Sequence, residues 1–364
     1  MKSIDVARER LRNQHLIGRP FPTPEAVVRW LGAVQAQDYA GAKWALAQRT
    51  TSARDADVEA ACRAGRILRT HVLRPTWHFV LPDDIRWMLG LTAPRVRRAM
   101  ATYARKLALD DRVFRRSQAV LVRALSGGRS ATREELAHAL GEAHISASGQ
   151  RLGLIMMRAE LDAVITSGPR RGKQSTYALL DECAGVGPTM ARDEALAELA
   201  GRYFASHGPA LPRDFAWWAG LTVTDARLGI DAASPRLASA LVDGKTYWFA
   251  RRTGGGVARA GGTVHLLPNY DELVVAYRDH VPTLAPGVAA MFKARLQVVA
   301  NHLIAVDGRV VGAWRRLEAK GAMTVETMLV TRLDRRARAA LEAAAARFQS
   351  YLSMPVRLRL GRYP

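Results

Sequence analysis

Helix, helix, helix, then a pair of β-prone runs: this order, clearest between residues 111 and 179, limits the fold more than any other feature of the sequence. The stretch "DRVFRRSQAVLVRALSGG" carries apolar residues at helical spacing and stops at Gly127-Gly128. In "SATREELAHALGEA", Thr132 and Glu135 are spaced for a capping box, each side chain satisfying an orphan amide of the first helical turn. "SGQRLGLIMMRAELDAVI" is helical again. "AVITSGPRRGKQSTYALL" then changes period, with two β-prone runs joined by Gly168-Pro169-Arg170-Arg171-Gly172-Lys173. The order is that of a winged helix-turn-helix, whose third helix sits in a groove and whose cationic wing, here Arg170, Arg171 and Lys173, reaches phosphates.

The order recurs on both sides. Downstream, "RDEALAELAGRYFASHG", "LPRDFAWWAGL" and "TVTDARLGI" read as helices, and "LVDGKTYWFA" supplies strands about an Asp243-Gly244 turn. Upstream, "IDVARERLRNQHL" and "TPEAVVRWLGAVQA" read as helices, the second with Thr23 as N-cap and Pro24 at the first position. "DVEAACRAG" adds a short helix, and "RILRTHVLRPTWHFVL" two β runs turning at Arg74-Pro75. The C-terminal runs "GTVHLLPNYDELVVAYR", "NHLIAVDGRVVGAWRRL", "AMTVETMLV" and "MPVRLRL" read as strands, with one Ala-rich helix, "DRRARAALEAAAARFQSYL", before the last. The expected fold is α+β: tandem winged helix-turn-helix modules followed by a C-terminal β-barrel-like region, together a C-shaped clamp. The units are assigned to 1–110, 111–185, 186–255 and 256–364. The Gly-rich, basic joint "ARRTGGGVARAGGT" reads as a mobile loop or hairpin, with Arg251, Arg252 and Arg259 as candidates to enter a groove.

Charge narrows the partner. Lys plus Arg number 54 against 33 acidic residues, a net charge of +21, which suits a polyanion better than a neutral surface. An arginine-rich genome would raise the same count, but here the cations recur within the wing and hairpin contexts. Two distant cysteines argue against a disulfide framework or structural zinc, and the charged N-terminus lacks the apolar core of a signal peptide. With no run of membrane-spanning length, the expectation is a soluble cytoplasmic, nucleoid-associated protein without cofactor.

Metal and nucleotide chemistry find no footing: HExxH, the full Walker motif GxxxxGK[ST] and GxSxG are all absent. What remains is Gln35-Ala36-Gln37-Asp38, read as the end of a helix, and the hairpin residues Arg69, Thr70, His71, Arg74, Thr76, Trp77 and His78. In extended backbone Gln35 and Gln37 point the same way, because strand periodicity is two. A solvated helix end and a wing touching phosphate are the plainer readings of these two stretches. Tyr270, Asp271, Tyr277 and Arg278 stand out in "LLPNYDELVVAYRDH", whose plainer reading is strand ends and a turn.

Taken in order, tandem winged helices, "QAQ", "THVLRPTWH" and "LLPNYDELVVAYRD" resemble the AlkZ/YcaQ-like winged-helix DNA glycosylases across essentially the whole chain. Gln35 and Gln37 match the double-glutamine, AlkZ-like branch; the other branch has Asp at the second position. The resemblance implies a monofunctional glycosylase, working as a monomer on double-stranded DNA, that removes alkylated purines. These include bulky or crosslinking N7-guanine adducts of genotoxic natural products, and the role is repair or self-resistance. Gln35 and Gln37 are then the catalytic pair that positions water, with Asp38 as electrostatic support. Arg69, His71, Arg74 and Thr76 would line an open cationic channel, so that a bulky lesion is met with little base flipping. The competing reading is a winged-helix transcription regulator, which ordinarily needs a dimerisation element and symmetric half-sites. An RNA-binding or architectural protein is a third.

Overall fold

The computed structural model describes residues 4–185, 187, 190–251, 261–288, 301–319 and 321–362. It opens with α1 (Val6–Asn13), α2 (Pro24–Leu31), β1 (Val34–Gln35), α3 (Tyr39–Ala47), α4 (Asp55–Arg63), β2 (Leu68–His71) and β3 (Trp77–Val80). Helices α2, α3 and α4 with a sheet ordered β1-β3-β2 make the first winged helix. The long α5 (Pro82–Lys106) leads to a second, built from α6 (Asp111–Leu125), β4 (Ala131–Thr132), α7 (Arg133–Glu142), α8 (Gly149–Leu161), β5 (Ile165–Arg171) and β6 (Gln174–Leu179). After α9 (Leu180–Ala184), the third has α10 (Arg192–Ser206), α11 (Pro212–Ala219), α12 (Val223–Ala233), β7 (Leu237–Val242) and β8 (Lys245–Ala250). There, an Ala210–Trp248 bridge stands in for the first strand.

The C-terminal region comprises β9 (Val264–Leu267), α13 (Glu272–Val275), β10 (Leu303–Val306), β11 (Arg309–Ala319), β12 (Ala322–Leu329), α14 (Arg335–Leu352) and β13 (Val356–Arg359). Its sheet runs β13-β12-β11-β10-β9, with only β12 and β13 parallel. It curls into a half-barrel against α14, closing a core of Val325, Leu341, Phe348 and Trp44. Trp44 comes from α3, so the first unit shares this core. No described helix is long and apolar enough to cross a membrane.

Three expectations change. "IDVARERLRNQHL" is helical, but α1 does not complete the first winged helix: Leu11 packs with Leu267 and Leu273, and Arg10 pairs with Asp214 of α11 at 3.7 Å. "DELVVAYR" is not a strand; Asp271 caps the single turn α13, whose Leu273, Val274 and Val275 are buried. Gln35 and Gln37 do not end a helix, because Gly32 at φ 81° stops α2 and lets the chain re-enter as β1. Arg252 and Arg259 lie outside the described residues, with most of the Gly-rich joint; Arg251 is exposed after β8.

Candidate active site on the first winged-helix unit

The sheet brings the two predicted stretches together. Gln35 pairs with His78, and His78 with Thr70, so these three stand in one row across the strands. Behind the row the turn Leu73-Arg74-Pro75 is held from outside. Leu73 sits at φ 64°, its amide donates to Thr92 Oγ1 of α5 at 3.2 Å, and Gly220 at the end of α11 presses on it. A Cβ on Gly220 would fall 1.9 Å from the Leu73 carbonyl oxygen, so only glycine permits this approach. A bulky residue held at positive φ is strained, and the strain persists where its surroundings over-determine it.

Arg74 is thereby aimed at Gln35, donating from Nη2 to Gln35 Oε1 at 2.6 Å. The Gln35 backbone amide donates to Glu272 Oε1 at 2.7 Å, so the residue is gripped at both ends. Glu272, fully buried on α13, also accepts from Trp218 Nε1 at 2.9 Å and His207 Nε2 at 3.3 Å. Burial lowers the Arg74 guanidinium to about 10, with the Glu272 charge opposing the shift. Burial, and then Arg74, hold His78 neutral, well below its ordinary value. Four buried polar atoms of this strand pair lack a protein partner: Thr70 Oγ1, Thr76 Oγ1, His78 Nε2 and Arg74 Nη1. Buried polar atoms are nearly always bonded, and two of these four, His78 Nε2 and Arg74 Nη1, belong to residues paired or bonded with Gln35, so its surroundings are suited to receive water or a substrate oxygen.

Gln37 is different. It is exposed, and its Oε1 accepts only a long contact, 3.4 Å, from the Trp77 amide. Beside it, His71 Nδ1 donates to Glu160 Oε2 of α8 at 2.5 Å, and Trp77 Nε1 donates to the other oxygen at 3.3 Å. The His71 and Trp77 rings lie 4.5 Å apart. Arg69 stacks 4.4 Å over Trp77 and donates to the Ala36 carbonyl at 2.9 Å. Asp38 caps α3 through the Gly41 amide at 3.1 Å and faces Arg316 at 3.9 Å.

The second unit's wing folds back toward the first. Arg170 lies 4.5 Å over Tyr39 and 3.7 Å from Glu59, while Arg171 binds Glu135 at 2.6 Å. Lys173, at the tip, is exposed. The structure thus joins Gln35 to Arg74 and His78, and Gln37 to His71 and Trp77. It leaves Arg171 and Lys173 away from both glutamines. The sequence reading missed Glu272 and Glu160. For Glu272 a signal existed: a carboxylate inside the apolar run "DELVVA" needs a reason to be buried.

Three winged helices in one polypeptide, with cations and carboxamides converging on one sheet, define a multi-module DNA-processing protein rather than one half of a symmetric regulator. The family model for "DNA glycosylase AlkZ-like" matches residues 28–351, and the chain belongs to that family. It is similar to the interstrand DNA cross-link repair glycosylase of Streptomyces sahachiroi, 24% identical over 96% of this chain and 97% of that protein. The solved structure of the S. sahachiroi DNA glycosylase AlkZ superposes with a TM-score of 0.80 at 23% identity, covering 98% of this chain and all of that one. Family membership decides for a glycosylase over a regulator.

Proposed function

We propose that this glycosylase hydrolyses the N-glycosidic bond of alkylated purines in duplex DNA, N7-guanine adducts that are bulky or crosslinked in particular. It would act as a monofunctional, monomeric enzyme of repair or self-resistance. The S. sahachiroi relative, an interstrand DNA cross-link repair glycosylase, supports a crosslink-sized substrate. Alkylation at N7 makes the base a cation, so the C1′–N9 electron pair leaves with guanine and neutralises it. Water then bonds to the oxocarbenium-like C1′ and releases a proton to solvent. Strong acid catalysis at the base is unnecessary; placing the water and stabilising the sugar cation are what remain.

The observation that carries this reading is the unequal pair of carboxamides. Gln37 Oε1 is held only by a contact longer than an ordinary N–H···O bond, so it can turn to accept from water. Gln35 Oε1 is engaged by Arg74, so Gln35 acts as a fixed dipole behind the site. The two glutamines therefore take different parts rather than forming a symmetric clamp. Asp38 contributes by fixing the start of α3, directly after Gln37.

The experiment is base release from duplex DNA bearing an N7-alkylguanine, read as alkali-labile sites under single turnover. Gln37→Ala and Gln35→Ala should each lose on the order of a hundredfold in rate, the usual effect of removing one preorganised polar group, with DNA affinity retained. The strand should stay intact until alkali is added. Wild-type rates in both variants would remove the mechanism, and nicking without alkali would remove the monofunctional assignment.

A further inference from the structure

A groove of roughly 350 Å³ opens beside Gln37, between the β2–β3 turn, the C-terminal half of α5 and helix α8. At its inner end stand Gln37, His71 and Trp77; its walls are largely apolar, with Met100 and Met157 among them and Tyr103 at the rim. Tyr103 is 59% exposed, while Met100 and Met157 are only partly buried. Gly153 of α8 lies in the wall, and the one atom near where its Cβ would stand is the Arg133 guanidinium, 3.3 Å away. A glycine inside a helix is disfavoured against alanine. Here it keeps the wall open.

Two occupants fit the position: an extruded nucleobase, or the substituent that the lesion carries on N7. A pocket for an extruded base reads its Watson–Crick edge with several polar groups. The hydrogen-bonding side chains here are Gln37, His71 and Trp77 at the inner end and Arg133 and Gln150 on the side of α7 and α8, and the remaining lining is largely thioether, aliphatic and aromatic. Methionine sulfur makes favourable contacts with aromatic rings, and a tyrosine at an open rim offers a stacking face. The volume lies within the range of small-molecule clefts. Continuity with Gln37 matters too: N7 is separated from N9 by a single ring carbon, so a group carried on it stays near the C1′ to which Gln37 delivers water.

We propose that this groove is a substrate subsite for the planar aromatic portion of an N7-guanine adduct, distinct from the elements that act on the sugar. The assignment rests on the glycosylase reading above and adds a specificity determinant to it. The aromatic group is received between α5 and α8 while the sugar stays at Gln37, so selectivity for bulky lesions resides in Met100, Tyr103, Met157 and the opening at Gly153.

Gly153→Leu tests this, because leucine favours the helix while its side chain fills the groove. Two duplexes are compared, one with N7-methylguanine and one with an N7-guanine adduct bearing a polycyclic aromatic group, and both affinity and base release are measured. Gly153→Leu should weaken binding and release of the aromatic adduct by roughly tenfold or more, the scale of one lost stacking interaction. N7-methylguanine release should stay unchanged. Tyr103→Ala, at an exposed position, should shift the same ratio in the same direction. An unchanged ratio in both variants overturns the subsite. Equal slowing of both lesions also overturns it, since the groove would then hold the base itself. Base release from neither duplex by the wild-type protein sinks the glycosylase reading instead; the binding ratio then decides the subsite alone.

Discussion

Arg74 carries a charge into a pocket where it is only 8% exposed, and what compensates it decides how firmly Gln35 is held. Its one side-chain hydrogen bond goes to Gln35, and its counter-charge is Glu272, which binds the Gln35 amide rather than Arg74 itself. The three residues form a relay: a carboxylate fixes the backbone, an arginine fixes the side chain, and each charge makes the other tolerable. Breaking a buried pair from one side typically costs about 3–5 kcal/mol, because the remaining charge is left uncompensated. Arg74→Met and Glu272→Gln should each therefore lower stability in urea by that order. The double variant should lose less than the sum, since neither charge remains. Base release should stay slow in all three, because Gln35 has lost its grip. Should the double variant regain the wild-type rate along with stability, Arg74 does not position Gln35.

Hairpins are the elements where local sequence and tertiary packing agree in form and differ in use. The wing β5–β6 reads from sequence as a phosphate-seeking tip, yet Arg170 and Arg171 are spent on Glu59, Tyr39 and Glu135. A lysine that neutralises one phosphate contributes about one unit to the slope of log affinity against log salt. Lys173→Ala should reduce that slope by nearly one, whereas Arg170→Ala should leave the slope alone and lower stability. Equal slope changes would show that Arg170 reaches DNA after all. Elements specified by neighbours in sequence were legible: the Thr132–Glu135 capping box formed, and Asp243-Gly244 turned as a hairpin with positive φ. Helix α3 was missed because residues 41–47 are all buried, which erases the one-sided apolar stripe by which a surface helix is recognised. The short apolar run 272–275 carries no period to separate strand from helix, and only its buried surroundings decide. The candidate site was half legible for a related reason. Gln35, Gln37 and the hairpin lie close in sequence, but Glu272 stands 237 positions from Gln35 and Glu160 stands 89 from His71.

Over the whole molecule four histidines are held below their ordinary value, and they are spread through its parts: His78 in the first unit, His207 in the third, His265 and His302 in the C-terminal region. Burial is the leading cause in each, and for His265 the arginines Arg347 and Arg49 add to it, bringing the ring to about 4. An unfolded histidine titrates near 6.5. Above that pH neither state binds the proton, and His265 contributes nothing to the pH dependence. Below it, the unfolded chain takes up a proton that the folded ring refuses, so stability falls as pH falls, until about pH 4 where the folded ring titrates as well. The slope approaches 1.4 kcal/mol per pH unit, so His265 alone should cost roughly 2 kcal/mol at pH 5 relative to pH 7. The other three act with the same sign. Urea unfolding at the two pH values should therefore show a marked loss at pH 5, before most carboxylates titrate. His265→Leu, which removes the titrating ring, should recover roughly 2 kcal/mol of that difference whatever it does to stability at pH 7. Identical pH differences in the variant and the wild type would show that His265 is protonated in the fold, against the burial and the cationic neighbours that hold it neutral.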